Sequence, residues 1–233
     1  MANLKPSERI LCALDTTNVA QASTLAVTLS SDVGGIKLGL EFFGANGPQG
    51  YKEIIKANQN IFLDLKLHDI PNTVAQSVKA ASNLGVWMLN VHASGGSIMM
   101  KAAKEATAGL VDPPLIIGVT MLTSLNEKDV NEVGIQDISN QVLSLASLAK
   151  KNSLDGIVCS ANEVGSIKEL LGKDFVTVTP GIRSSDSSKD DQSRVSSARN
   201  AIEKGADYLV IGRPITQSDN PMKSLDSIIK EIS

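Results

Sequence analysis

"NIFLDLK", residues 60–66, runs directly into "LHDIPNT", residues 67–73, and this junction decides how the chain folds. Side chains alternate along a strand, so Ile61, Leu63 and Leu65 share one face while Phe62, Asp64 and Lys66 share the other. One face is apolar, and the other ends in opposite charges two residues apart. Pro71 after Asp69 then reads as the start of a helix. A strand that passes straight into a helix is half of a βα unit, with its charges at the C-terminal end.

The same unit recurs along the whole chain. Strand-like runs fall at 9–15, 33–39, 60–66, 86–92, 114–120, 155–160, 175–181 and 207–213, and helical patterns at 18–30, 48–58, 71–84, 96–107, 138–152, 162–171, 194–204 and 221–232. Asn162 before Glu163 reads as a helix start, and Gly85 and Gly205 read as stops before the next strand. Strict alternation implies parallel strands with right-handed crossovers. Eight units predict an α/β fold of one closed (β/α)8 TIM barrel, a single domain over residues 1–233. The other candidate is an open doubly wound sheet, but "ALDTTNVA" follows the first strand where a glycine-rich nucleotide turn would be expected. Two connections, 121–137 and 183–193, are longer than the rest and are candidate lids or plain surface excursions.

Bulk composition narrows the function. Of the 233 residues, 42% are hydrophobic and 20% charged, with a formal charge of −3, which suits a large core and argues against disorder or generic nucleic-acid binding. No apolar run is long enough for a signal peptide or membrane span, so a cytoplasmic protein is expected. Cys12 and Cys159 lie in apolar strands and read as buried free thiols.

Catalytic groups of a barrel come from the C-terminal ends of strands and the loops after them. Asp15, Lys37, Asp64, Lys66, His92, Thr120, Thr123, Arg183, Gly212 and Arg213 all fall there. Plainer roles exist for several. Asp15 and Asp69 can cap helices, His68 and His92 can be ordinary polar residues, Met99 and Met100 can be helix packing, and the pairs Gly34–Gly35 and Gly95–Gly96 can serve tight packing or turns. Independent caps do not explain charges of alternating sign on three neighbouring strands. If Lys37, Asp64, Lys66 and Asp69 meet, each ammonium is flanked by carboxylates, Lys66 becomes a poised acid, and the interleaved cations take the place a metal would fill. After the last strand, Gly212 and Arg213, with Arg183 and Gln192 from the preceding long loop, suit a phosphate and imply a phosphorylated substrate.

These residues resemble the orotidine 5'-phosphate decarboxylase family. The likeness runs from "ALD" through "IKLG", "DLKLHDIPNT", "NVHASGG", "VTMLTS", "VTPGIR" and "DDQSRV" to "DYLVIGRPITQS". It implies loss of CO2 from orotidylate to give UMP without cofactor or metal, Lys66 as proton donor, and a charged array of Lys66 with Lys37, Asp64 and Asp69. It further implies ribose contacts from Asp15 and Thr73, pyrimidine recognition by Thr123, and a phosphate grip from Gln192, Gly212 and Arg213 beside Arg183. A homodimer in which Asp69 reaches the neighbouring subunit's site is also implied. The Ser-rich "RSSDSSKDD" stretch differs from some relatives. Two other readings stay open: a magnesium-dependent sugar-phosphate decarboxylase or aldolase, in families that share an Asp-x-Lys-x-x-Asp strand, and a non-catalytic nucleotide sensor.

Overall fold

In a computed structural model, residues 4–57, 60–183 and 194–233 are described. Eight parallel strands close into a barrel in sequence order. They are β1 (Ile10–Ala13), β2 (Gly35–Gly39), β3 (Ile61–Leu67), β4 (Met88–His92), β5 (Leu115–Val119), β6 (Gly156–Val158), β7 (Val176–Thr179) and β8 (Tyr208–Ile211). Each begins and ends within two residues of its expected range. The helices are α1 (Val19–Leu29), α2 (Leu40–Ile55), α3 (Pro71–Ser82), α4 (Gly96–Glu105), α5 (Glu127–Asn131), α6 (Ile138–Lys151), α7 (Val164–Leu171), α8 (Ala198–Glu203), α9 (Arg213–Thr216) and α10 (Pro221–Glu231).

The alternation of 60–66 is realised in two separate cores. Ile61 and Leu63 pack outward with Ile36, Leu38, Leu89 and Val91 into the layer between strands and helices. Phe62 faces inward with Leu11, Met88, Ile117, Val178 and Tyr208, filling the barrel's interior. Because both faces of every strand are covered, the strands read as nearly continuous apolar runs.

Several helix ends differ from the sequence reading. α2 begins eight residues before 48, because Gly47 adopts φ 57° ahead of Pro48 and joins two helical pieces across a kink. Within 121–137 lies α5, opened by a capping box in which Asn126 accepts from the Asp129 N–H and Asp129 accepts from the Asn126 N–H. The helix expected at 194 starts after Ser197, since Ser196 is held in an isolated bridge with Ile182, donating its N–H to the Gly181 carbonyl and accepting from the Arg183 N–H. Neither Asp15 nor Asp69 caps a helix: Asn18 caps α1, while α3 starts at Pro71 after Ile70 with no side-chain cap. Nor is Asn162 a cap, because Glu163 precedes α7. Gly34 and Gly35 belong to tight packing, as a Cβ at Gly34 would lie 1.9 Å from the Glu8 carbonyl oxygen.

The end of the barrel at which the strands begin is held by helix lysines pinned to aspartates ahead of the strands. Lys168 donates to Asp207 at 2.6 Å, and the same carboxylate oxygen accepts from the Thr177 N–H at 2.7 Å. Lys104 and Asp155 repeat the device, with Ile116 N–H as the backbone donor. Removing one partner strands a buried charge, so Asp207→Ala should cost about 3–5 kcal/mol, read as a lower urea midpoint. Asp155→Ala should cost less, because its ion pair is more exposed.

Candidate active site

The site begins with a feature of β3 that its sequence does not announce. β3 pairs with β4 as Leu63↔Leu89 and then Leu67↔Val91, so four steps on one strand face two on the other. The surplus is a bulge, and within it Lys66 takes φ 49°, a left-handed conformation rare outside glycine. Backbone strain of that kind persists only where surrounding contacts enforce it. Here the Lys66 N–H donates to Asn90 Oδ1 at 2.7 Å, and the Lys66 ammonium donates to Asp64 Oδ1 at 2.7 Å.

Register brings the neighbouring charges to the same height. Gly39 of β2 pairs with Asp64, and Lys37 lies two residues below it. Lys37 Nζ sits 2.8 Å from Asp15 Oδ1 and 3.7 Å from Asp64 Oδ2. Gly39 leaves the room for that ammonium, since a Cβ there would lie 3.0 Å from Lys37 Nζ and 3.6 Å from Asp15 Oδ1. The result is a chain of alternating signs, Asp15, Lys37, Asp64, Lys66, in which no buried charge lacks an opposite neighbour.

Electrostatics follows from that order. Burial alone would push the Asp64 carboxyl up, but Lys37, Lys66 and the hydrogen bonds from Lys66 and Asn90 outweigh it and hold the group below the usual carboxylate range. Burial would likewise lower Lys37, yet Asp64 and Asp15 carry it above the ordinary lysine value. Both therefore stay charged across the physiological range. His92 moves the other way: burial, the neighbouring His68 and Lys66 all depress it, and it is neutral at pH 7. Its ring lies 5.3 Å from that of His68. Burial pushes the Cys12 thiol up to about 12 and raises Cys159 as well, so neither is a nucleophile at neutral pH.

A cavity of about 660 Å³ opens over this array, a volume suited to a small ligand. Asp15, Lys37, Asp64, Lys66, Thr123, Arg183, Gly212 and Arg213 all line it. Thr120 does not, because its hydroxyl is committed to the Val158 carbonyl at 2.8 Å. Gly212 lies close against β1, where a Cβ would come within 3.3 Å of Ala13 Cβ. Asp69 and Thr73 stand apart from the cavity on the exposed surface, and the Asp69 carboxylate folds back onto the Ile70 N–H at 2.6 Å. Within one chain, then, three of the four expected charges converge. Gln192 lies outside the described residues.

Sequence reasoning missed Asn90 and Arg194. Arg194 pairs with the buried Glu163 and also donates to the carbonyls of Met121 and Leu122, fixing the loop that carries Thr123. Glu163 in turn accepts from the Ser160 N–H at 2.7 Å. An asparagine inside the apolar run of β4 was the available signal for Asn90. Among the described residues, no group of three His, Cys, Asp or Glu side chains is placed to hold a metal ion.

Known proteins resemble the chain over nearly its whole length. The chain is 49% identical over 225 residues to the orotidine 5'-phosphate decarboxylase of Wolbachia pipientis from Culex pipiens, spanning 96% of this chain and 98% of the relative. It is 49% identical over 228 residues to that of Pseudoalteromonas translucida, covering 97% of each. The crystal structure of orotidine 5'-phosphate decarboxylase from Lactobacillus acidophilus superposes with a TM-score of 0.81 at 38% identity, over 96% of this chain and 98% of that one. The Methanocaldococcus jannaschii enzyme complexed with inhibitor BMP shares the fold, with a TM-score of 0.78 at 23% identity over 97% and 98% of the two chains. Residues 8–228 match the profile of the Orotidine 5'-phosphate decarboxylase / HUMPS family, and the chain belongs to that family.

Proposed function

We propose that this enzyme converts orotidine 5'-phosphate to UMP and CO2, with Lys66 as proton donor and no cofactor, acting as one catalytic domain over residues 1–233. The observation that carries the reading is the Lys66 ammonium fixed 2.7 Å from Asp64 inside a cavity whose wall also holds Gly212 and Arg213. In this reading Asp15 and Thr73 contact the ribose, Thr123 reads the pyrimidine, and Arg183, Gln192, Gly212 and Arg213 grip the phosphate.

The C6–carboxylate bond breaks, CO2 departs, and the electron pair stays on C6 in the plane of the ring, where no carbonyl delocalises it. A barrier reduction on the order of 20 kcal/mol is then required. A positioned general acid contributes only about 3–5 kcal/mol, so proton delivery alone falls short. The fixed ammonium of Lys66 supplies more by stabilising negative charge as it develops, then gives its proton to C6 and is reprotonated from water. Lys37 and Asp64 keep that ammonium aimed, and the distant phosphate adds binding energy that organises the site.

A homodimer completes the array. Leu40, Ile70, Ile98 and Leu122 are exposed large apolar side chains in the segments that follow β2, β3, β4 and β5, on the rim that also carries Asp69. Apolar side chains gathered beside a functional rim favour burial against a second copy. The Asp69 carboxylate is assigned to the partner's cavity. No described helix is long and apolar enough to cross a membrane, and a cytoplasmic enzyme with no nucleic-acid partner is the corresponding assignment.

Following orotidylate absorbance with EDTA present tests the reading. Activity should survive the chelator; loss under EDTA would favour the magnesium-dependent sugar-phosphate chemistry, and tight UMP binding without turnover would favour a sensor. Arg213→Ala should lower kcat/KM by about 10³-fold, about 3 kcal/mol less than the loss at Lys66, and equal losses would refute the division of labour.

A further inference from the structure

Asn90 lies at the centre of β4 and is fully buried, where an unpartnered amide would be costly. Its orientation is fixed by its partners: a backbone N–H can only donate and an ionised carboxylate can only accept. Oδ1 therefore faces the Lys66 N–H at 2.7 Å, and Nδ2 faces Asp64 Oδ1 at 2.6 Å. The ladder from β3 to β4 skips from Leu63 to Leu67, so this one side chain stands where regular rungs are missing. It holds Lys66 at φ 49° and immobilises the oxygen on which the Lys66 ammonium rests.

We propose that Asn90 is a positioning residue for the decarboxylation, a buried amide clamp that sets the Lys66 backbone and the Asp64 carboxylate in working geometry before substrate arrives. The proposal rests on the reading of Lys66 as proton donor. A side chain that only stabilised the barrel would give variants whose folding and turnover fall together. A clamp predicts three separable effects.

Asn90→Ala removes both bonds, and a displacement of about 1 Å at the ammonium should lower kcat by about 10²-fold while the KM for orotidylate changes by less than about threefold. Asn90→Asp keeps an acceptor for the Lys66 N–H but places a second carboxylate against Asp64. The titratable groups facing that pair are the cations Lys37 from β2 and Lys66 from β3 and the neutral His92 from β4, with Asp15 beyond Lys37. These cations limit the effect, and the acid limb of the kcat/KM profile should move up by about one pH unit. The sign follows from Asp64: its carboxylate is lost as pH falls, and a neighbouring anion makes that loss occur at higher pH.

Steady-state profiles of wild type, Asn90→Ala, Asn90→Asp and Lys66→Ala, with thermal melts alongside, decide the matter. A kcat loss of about 10²-fold at near-constant KM in a folded Asn90→Ala, together with an acid limb that shifts in a folded Asn90→Asp, supports the clamp. An unshifted limb, or a kcat loss below about tenfold in a folded Asn90→Ala, overturns it. Should Asn90→Ala fail to fold, the near-isosteric Asn90→Asp still gives the answer. Wild-type turnover in Lys66→Ala would sink the proton-donor reading instead, so the two failures are distinguishable.

Discussion

Lys66→Ala should lower kcat for orotidylate by about 10⁵-fold while leaving the Kd for UMP within about tenfold of wild type. The magnitude is the product of two losses: proton delivery to C6, at about 10²–10⁴, and the preset cation facing the developing carbanion, at about 10²–10³. Binding survives because UMP has no charge at C6 for the ammonium to meet. The part of the cavity wall formed by Gly212 and Arg213, to which the phosphate is assigned in the proposed reading, is untouched by the change. The truncation also leaves Asp64 with Lys37 at 3.7 Å and the Asn90 amide at 2.6 Å, so the carboxylate keeps partners and the barrel should remain folded. Single-turnover decay of orotidylate absorbance measures the first quantity, and titration with UMP the second. A loss under about 10²-fold would mean that Lys66 is not the acid, and a parallel loss of UMP affinity would mean that the site had collapsed.

The barrel was legible because each strand is buried on both faces and bounded by turn residues, which gave every strand to within a residue or two. The alternation across 60–66 also sorted Ile61 and Leu63 from Phe62 and Asp64 correctly. Less legible were features that depend on more than one segment. Gly44 and Gly47 depress helix propensity over the first piece of α2, and packing of Phe42 against the outer core overrides it. The bulge at Lys66 carries no glycine, and the side chain that meets its N–H, Asn90, lies far along the chain. The capping box at Asn126 and Asp129 was readable but lay inside a stretch taken for loop. The four-charge cluster showed the same limit, since a single chain brings together Lys37, Asp64 and Lys66 while Asp69 points elsewhere.

That gap makes the strongest test of the assembly a mixing experiment. Asp69→Ala alone should lower kcat by about 10³-fold or more, because the Lys66 ammonium loses a carboxylate that positions it. Lys66→Ala, as argued, is nearly inactive. Each subunit's cavity holds its own Lys66, and in the proposed dimer its fourth charge comes from the other subunit. In a heterodimer of the two variants, one cavity therefore lacks both groups, while the other has Lys66 from the Asp69→Ala chain and Asp69 from the Lys66→Ala chain. That second site is intact. Random reassociation makes half the dimers mixed with one good site in each, so about a quarter of wild-type activity should return when two nearly dead proteins are unfolded and refolded together. If Asp69 instead served its own chain's cavity, every heterodimer site would lack one group and no activity would return. The amount recovered thus reports which subunit supplies the carboxylate, because variants that merely damage their own fold cannot rescue one another.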